Sequence, residues 1–181
     1  MSNDTTSTPK LWVLDTVGML TTRPVCISKI IYVPSAAADD ILFKQWNDES
    51  TIATGCKVGE TATITGNDTI TGSGTALPST IVDGSVFEII QSSGLAVNKG
   101  VKALVKTAGN NTVVVIWDDK WTNEAAVVYT WRTFGTTTAL VLKAGASDAS
   151  PIHLDFGEKG RWFQNLVLET IDGGTVYVYL L

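Results

Sequence analysis

Residues 25–33 read Val25-Cys26-Ile27-Ser28-Lys29-Ile30-Ile31-Tyr32-Val33, and Pro34 follows. β-Branched and aromatic side chains fill the run, as suits a pleated surface. Proline cannot donate to a strand ladder, so it stops the run there. This is the strongest early strand, and the neighbouring segments repeat its style. On the N-terminal side lie Leu11–Thr16, a turn at Val17-Gly18, and a short run Met19–Thr22. On the C-terminal side Asp40–Trp46 reads as the next strand, closed by a turn at Asn47-Asp48-Glu49-Ser50. A short helical turn near Ala36–Asp40 is the most helix the sequence offers, because no apolar period of 3.6 extends over three turns.

The whole chain has this bias. Its 181 residues include 25 Thr, 19 Val and 16 Gly. From about Thr51 to Pro78 it is rich in Thr and Gly with few charges. Turn signals at Gly66-Asn67, Val82-Asp83-Gly84-Ser85, Asn98-Lys99-Gly100 and Gly109-Asn110-Asn111 then separate short runs. Such spacing describes a small barrel or sandwich. Among these runs Thr112–Trp117 is apolar throughout, the pattern of a strand covered on both faces. Longer strands return at Ala126–Thr133, Thr137–Lys143, Ile152–Phe156, Trp162–Glu169 and Thr175–Leu181. The Asp172-Gly173-Gly174 turn makes the last run the expected hairpin partner of Phe163–Thr170. The fold class is all-β.

Composition narrows function. The apolar fraction is 44%, the charged fraction 17% and the net charge -5. An acidic chain without a basic run is a poor partner for nucleic acid or an anionic membrane. No apolar stretch approaches the roughly 18 residues of a membrane-spanning helix. Polar residues 1–9 read as a flexible arm without the apolar region of a signal peptide. Cys26 and Cys56 read as buried free thiols, with a disulfide left open.

The sequence offers no catalytic set, cofactor motif or metal site. His153 is the one histidine, and alternation in Ile152-His153-Leu154-Asp155-Phe156 sets it with Asp155 on the outer side of a strand. Paired carboxylates at Asp39-Asp40, Asp48-Glu49 and Asp118-Asp119 point to opposite faces if they lie on strands. Asp118, Asp119, Asn123 and Glu124 lack calcium-loop spacing and read as a solvated turn. Thr71-Gly72-Ser73-Gly74-Thr75 is no phosphate loop, for no Lys-Ser/Thr follows it. Asn67-Asp68-Thr69 and Asn110-Asn111-Thr112 match the glycosylation sequon by chance. Six tryptophans stand out, and Trp117, Trp121, Trp131 and Trp162 form the candidate interaction surface. Aromatic faces stack on sugars, and they also fill cores and subunit contacts.

Two segments resemble phage virion modules. The front carries Trp12-Val13-Leu14-Asp15-Thr16, the 25–33 strand and Ala38-Asp39-Asp40-Ile41-Leu42-Phe43. The back carries Trp162 to Thr170 and Gly174-Thr175-Val176-Tyr177-Val178-Tyr179-Leu180. Small structural proteins of tailed phages show this order, with Gly often where Asn165 stands. The middle resembles a second phage-associated unit, through Asp68-Thr69-Ile70-Thr71, Asp83 to Ile89, Asn98 to Leu104, Asn111 to Val115 and Thr122-Asn123-Glu124.

The resemblance implies an outer antiparallel β-sandwich of residues 10–58 and 128–181, jelly-roll-like in one form. A small β-barrel unit, residues 59–127, is inserted into it. It further implies a non-enzymatic virion protein without a cofactor, above all a capsid decoration or cement protein that binds the major capsid (coat) protein. Such proteins act as homo-oligomers, trimers included. A low-copy neck or tail component and a carbohydrate-binding or adhesin module are the alternatives.

Overall fold

The computed structural model describes residues 4–8, 10–53, 61–73, 81–109, 113–117 and 120–181. Sixteen antiparallel strands and one 3-10 turn, at Ala96–Asn98, make up the regular structure of these residues. The chain divides into two compact units, Met1–Trp46 with Thr137–Leu181, and Asn47–Thr136. The second unit is therefore an insertion, and its boundaries lie outside the expected 59 and 127. Both crossings fall inside long strands, β5 (Asp40–Ala53) and β12 (Tyr129–Lys143). The expected turn at 47–50 is thus continuous strand, and so is the expected break before Thr137.

The first unit is a two-sheet sandwich. One sheet contains β1 (Asp4–Thr8), β2 (Leu11–Leu14), β16 (Thr175–Leu180), β4 (Val25–Val33) and β13 (Ile152–Asp155), with β14 (Arg161–Phe163) also on β4. The other runs β12, β5, β15 (Leu166–Ile171) and β3 (Gly18–Met19). Alternation sends Trp12, Leu14, Ile30, Tyr32, Val176 and Val178 inward from the first sheet, where they meet Ile41, Phe43, Leu142, Leu166 and Leu168 of the second. Facing apolar surfaces of this kind form the core of a sandwich.

Three expectations for this unit change. Residues 4–8 of the presumed arm form β1, paired antiparallel with β2. Residues 36–40 make no helix: Ala38 is left-handed at φ 66°, and the Asp39 carboxylate accepts from the Ser35 and Ala36 N–H groups at 3.0 and 2.7 Å. The run from 162 to 169 breaks in two. Arg161–Phe163 pairs with β4, whereas Leu166–Ile171 pairs with β5, in the opposite sheet. Asn165 makes the crossing, left-handed at φ 52°, which explains why asparagine can replace glycine there. Its Nδ2 donates to Trp46 O at 3.0 Å. Consequently β15 and β16 belong to different sheets, and the expected hairpin is instead an arch between them.

The inserted unit orders its strands β11 (Glu124–Val127), β6 (Ala62–Thr65), β7 (Thr69–Gly72), β10 (Val113–Ile116), β9 (Lys102–Gly109), β8 (Val86–Ser92) and β12. The strands at the two ends of that order, β11 and β12, are separated by Val128 alone. The chain thus runs directly from one end of the strip to the other, and all seven strands contribute side chains to one core, so the strip wraps into a small barrel-like unit. In β10 only Val114 and Ile116 are buried, so this strand is covered on one face, not two.

Candidate functional site

The four candidate tryptophans separate. Trp131 is fully buried in the barrel core and Trp121 is 2% exposed. Their rings surround Phe87: centroids lie 5.2 Å from Trp131 and 5.8 Å from Trp121, the latter edge-on. Tyr129 packs on the other side of Trp131 at 5.2 Å. These two residues are core, and the expected surface loses half its members. Trp117 is 40% exposed, with Lys106 Nζ 4.8 Å from its ring centroid. Trp162 is 69% exposed and belongs to the sandwich, opposite Cys26 on β4. A sugar-stacking platform built from the 117–131 cluster is not present.

The polar groups of the inserted unit hold its frame. Lys102, Glu88 and Arg132 are register partners on three adjacent strands. The Glu88 carboxylate is buried and receives Arg132 Nε at 2.7 Å, with Lys102 Nζ at 3.7 Å. The Lys102 ammonium and Arg132 guanidinium also lie over the Phe134 ring, at 5.8 and 5.2 Å. Alternate positions on each strand carry these groups, so a single face collects them.

The segment expected to be a solvated turn is a clasp. Trp121 N–H donates to Asn67 O, and Asn67 N–H donates to Asn123 Oδ1, both at 3.0 Å. Asn98, fully buried, exchanges two hydrogen bonds with the Thr122 backbone at 2.8 and 2.9 Å. Glu124 is 8% exposed; it accepts from Leu95 N–H and, at 2.6 Å, from the Tyr129 hydroxyl. Buried donors and acceptors demand such partners. The Thr122-Asn123-Glu124 order was the available signal, since each residue type suits bonding to nearby main chain. Asp118, Asp119 and the sequon at 110–112 lie outside the described residues, as do Cys56 and the side chains of Asp48 and Glu49. Cys26 carries a free thiol that reaches Lys159 O at 3.6 Å.

In the sandwich, His153 and Asp155 are exposed while Ile152, Leu154 and Phe156 pack toward the core, as alternation requires. Asp155 Oδ1 accepts from Gly157 N–H at 2.7 Å. At the far end of β4 the Tyr32 hydroxyl donates to Gly173 O at 2.8 Å. Burial pushes the Tyr32 phenol up to about 12, and the carboxylates of Asp39, Asp172 and Asp40 add to it. Hydrogen bonds from Ser35 and Ala36 hold Asp39 below its ordinary range.

A pH prediction follows from Tyr32. Above pH 10.0 the unfolded chain gives up the phenol proton while the folded chain keeps it. Stability is therefore complete below 10.0 and is lost as pH rises through about 12. Asp39 acts at the other end, where its contribution is lost as pH falls below 3.8. Tyr32→Phe is expected to flatten the alkaline limb of a plot of urea midpoint against pH. It should also lower the midpoint at neutral pH, by about 1 kcal/mol for the lost hydrogen bond. An unchanged alkaline limb would remove Tyr32 as its cause.

Comparison with family models, curated proteins and solved structures finds no match.

Proposed function

We propose that this chain is a non-enzymatic virion structural protein, a decoration protein that binds and stiffens a coat-protein shell. The observation carrying this reading is architectural. A β-sandwich closed by the 175–180 strand holds a separate small barrel inserted between two of its strands. That is the arrangement implied by the likeness to tailed-phage modules. Site chemistry supports the same reading. The buried carboxylates Glu88 and Glu124 pair with groups of their own unit, and His153 sits on an exposed strand face. These groups brace a scaffold, and a shell-bracing protein needs rigidity and contact area rather than a reacting group. Distribution of the tryptophans favours it over the glycan-binding alternative, whose platform requires Trp121 and Trp131 at the surface.

The test is a density-gradient separation of a lysate in which the chain is produced with its natural neighbours, quantified fraction by fraction. Co-migration with a large particle near coat copy number is the expected result. A few copies per particle would transfer the chain to a neck or tail. Recovery in the free-protein fractions alone would overturn the virion reading.

A further inference from the structure

The first strand joins the sandwich through a poor hairpin. β1 pairs with one edge of β2, and β16 occupies the other edge. Pro9 and Lys10 alone connect β1 to β2, and Thr8 and Leu11 are register partners across them. A two-residue hairpin loop matches the twist of its strands as a type I′ or II′ turn, and both need positive φ at the first loop position. Proline is locked at about −65°, so Pro9 bars both. Lys10 brings no positive φ at the second position. The turns that are left splay the strands. The β1–β2 register does shift between its pairs Asp4–Val13 and Thr8–Leu11.

Little else favours this hairpin. β1 reads Asp4-Thr5-Thr6-Ser7-Thr8, with no apolar residue to offer a core. Lys10 O accepts from Leu180 N–H at 2.9 Å, so residue 10 already lies in the β16 ladder and Pro9 is the hinge. A residue before proline prefers extended backbone, and proline itself is tolerated in an edge strand. Thr8-Pro9-Lys10 therefore suits a straight passage from β1 into β2 better than a reversal.

We propose that β1 is an exchangeable strand, and that two copies of this chain trade it. With the hinge open, Asp4 to Leu14 become one continuous strand. Two such strands run antiparallel, Thr8 of each copy opposite Leu11 of the other. The edge of β2 selects this occupant, because the strand it receives has the same sequence and register as the one it gave up. The ladder bonds of the closed hairpin are remade between copies, and the mismatched reversal is not. A foreign peptide would have to displace β1 without offering it a new edge; the exchange offers each β1 an edge in return. Reciprocal pairing closes about a twofold axis, so the product is a dimer. The claim rests on β1, β2 and their hinge, and is independent of the virion reading.

Sedimentation equilibrium tests this on the full chain, refolded from urea at high protein concentration so that the hinge can open. The wild type is expected to give a species of twice 19.3 kDa. Pro9→Asn with Lys10→Gly supplies the residues that a type I′ turn demands and is expected to close the hairpin. Two hairpins close for each dimer lost, so the dimer should weaken at least about tenfold while the circular dichroism spectrum is unchanged. Insertion of Gly-Gly between Pro9 and Lys10 is the second variant. A longer loop reverses without either two-residue turn, so it too is expected to favour the monomer, and it decides alone should the first variant fail to fold. Neither change alters a residue of any strand. A dimer formed through a sheet face would survive both, and that result overturns the proposal. So does a wild type that stays at 19.3 kDa at its highest soluble concentration.

Discussion

Trp131→Ala is expected to destabilise the inserted barrel by about 3–5 kcal/mol, the range for removing a large aromatic from a closed core. The side chain is fully buried, between Phe87 and Tyr129. Its loss leaves a cavity in the middle of a single apolar cluster that also includes Ile64, Ile70, Ile89 and Val105. Strand ladders on every side hold the walls apart, so collapse is incomplete and the cavity persists. One feature tempers the figure. The Trp131 indole Nε1–H is buried and has no hydrogen-bond acceptor among the described residues. An unmade hydrogen bond of that kind costs about 1–3 kcal/mol in the folded state.

Trp131→Phe separates these contributions. It keeps most of the ring packing and removes the unpaired donor, so the expected cost falls below about 1.5 kcal/mol. Trp162→Ala is the outside comparison. At 69% exposure it is expected to shift stability by no more than about 0.5 kcal/mol. Urea denaturation followed by circular dichroism gives all three values, and the two units can unfold separately, so each transition is fitted by itself. Equal costs for Trp131→Ala and Trp162→Ala would contradict the division of tryptophans into core and surface.

That division shows what the sequence could and could not convey. Composition counts tryptophans but does not orient them. Trp131 was nevertheless legible: in Tyr129-Thr130-Trp131-Arg132-Thr133 the aromatic residues share one parity and Arg132 the other, which is the signature of a half-buried strand. Trp121 carried no such signal, because the turn holding it has no period. Its burial depends on Asn98 and Asn67, residues distant in the chain whose partners only the fold supplies. Strand positions in 11–14, 25–33 and 175–180 were readable for the reason Trp131 was. The reading of 163–170 with 175–181 as a hairpin erred for a different reason. An Asp-Gly-Gly turn reverses the chain, but reversal within a sheet and crossing between sheets place the same demands on those residues. What decides is Asn165, whose left-handed backbone had already moved β15 to the opposite sheet. Domain boundaries were misplaced because the chain enters and leaves the inserted unit in mid-strand, with no loop composition to mark the place.

Gly174→Ala is the corresponding test for that arch, and its expected effect on the sandwich is severe. Gly174 has φ 87°, a conformation costing an L-residue about 1–2 kcal/mol. Space is the larger obstacle. An added Cβ would meet the Val33 carbonyl oxygen and lie 2.8 Å from Pro34 Cα and 2.9 Å from Pro34 C. All three are backbone atoms at the end of β4, beside the Thr175–Val33 register pair. A side chain could swing away; a strand end fixed by Pro34 and by the β16 ladder cannot. Relief requires β4 and β16 to separate at that end, which also pulls Gly173 O from the Tyr32 hydroxyl. The combined loss is expected to exceed about 4 kcal/mol, in the exceptional range for one substitution. Gly173→Ala is the internal control. Its Cβ would meet Ser35 Oγ and Asp39 Oδ2, side-chain atoms that can turn aside, and its φ is not left-handed. The expected cost there is about 1–2 kcal/mol, from disturbing the bonds that Asp39 makes to Ser35 and Ala36. The unfolding midpoint of the sandwich should therefore fall far more for Gly174→Ala than for its neighbour. If the two variants lose the same stability, the arch tolerates a Cβ at 174, and the tight approach of β16 to the end of β4 is not what fixes the last strand.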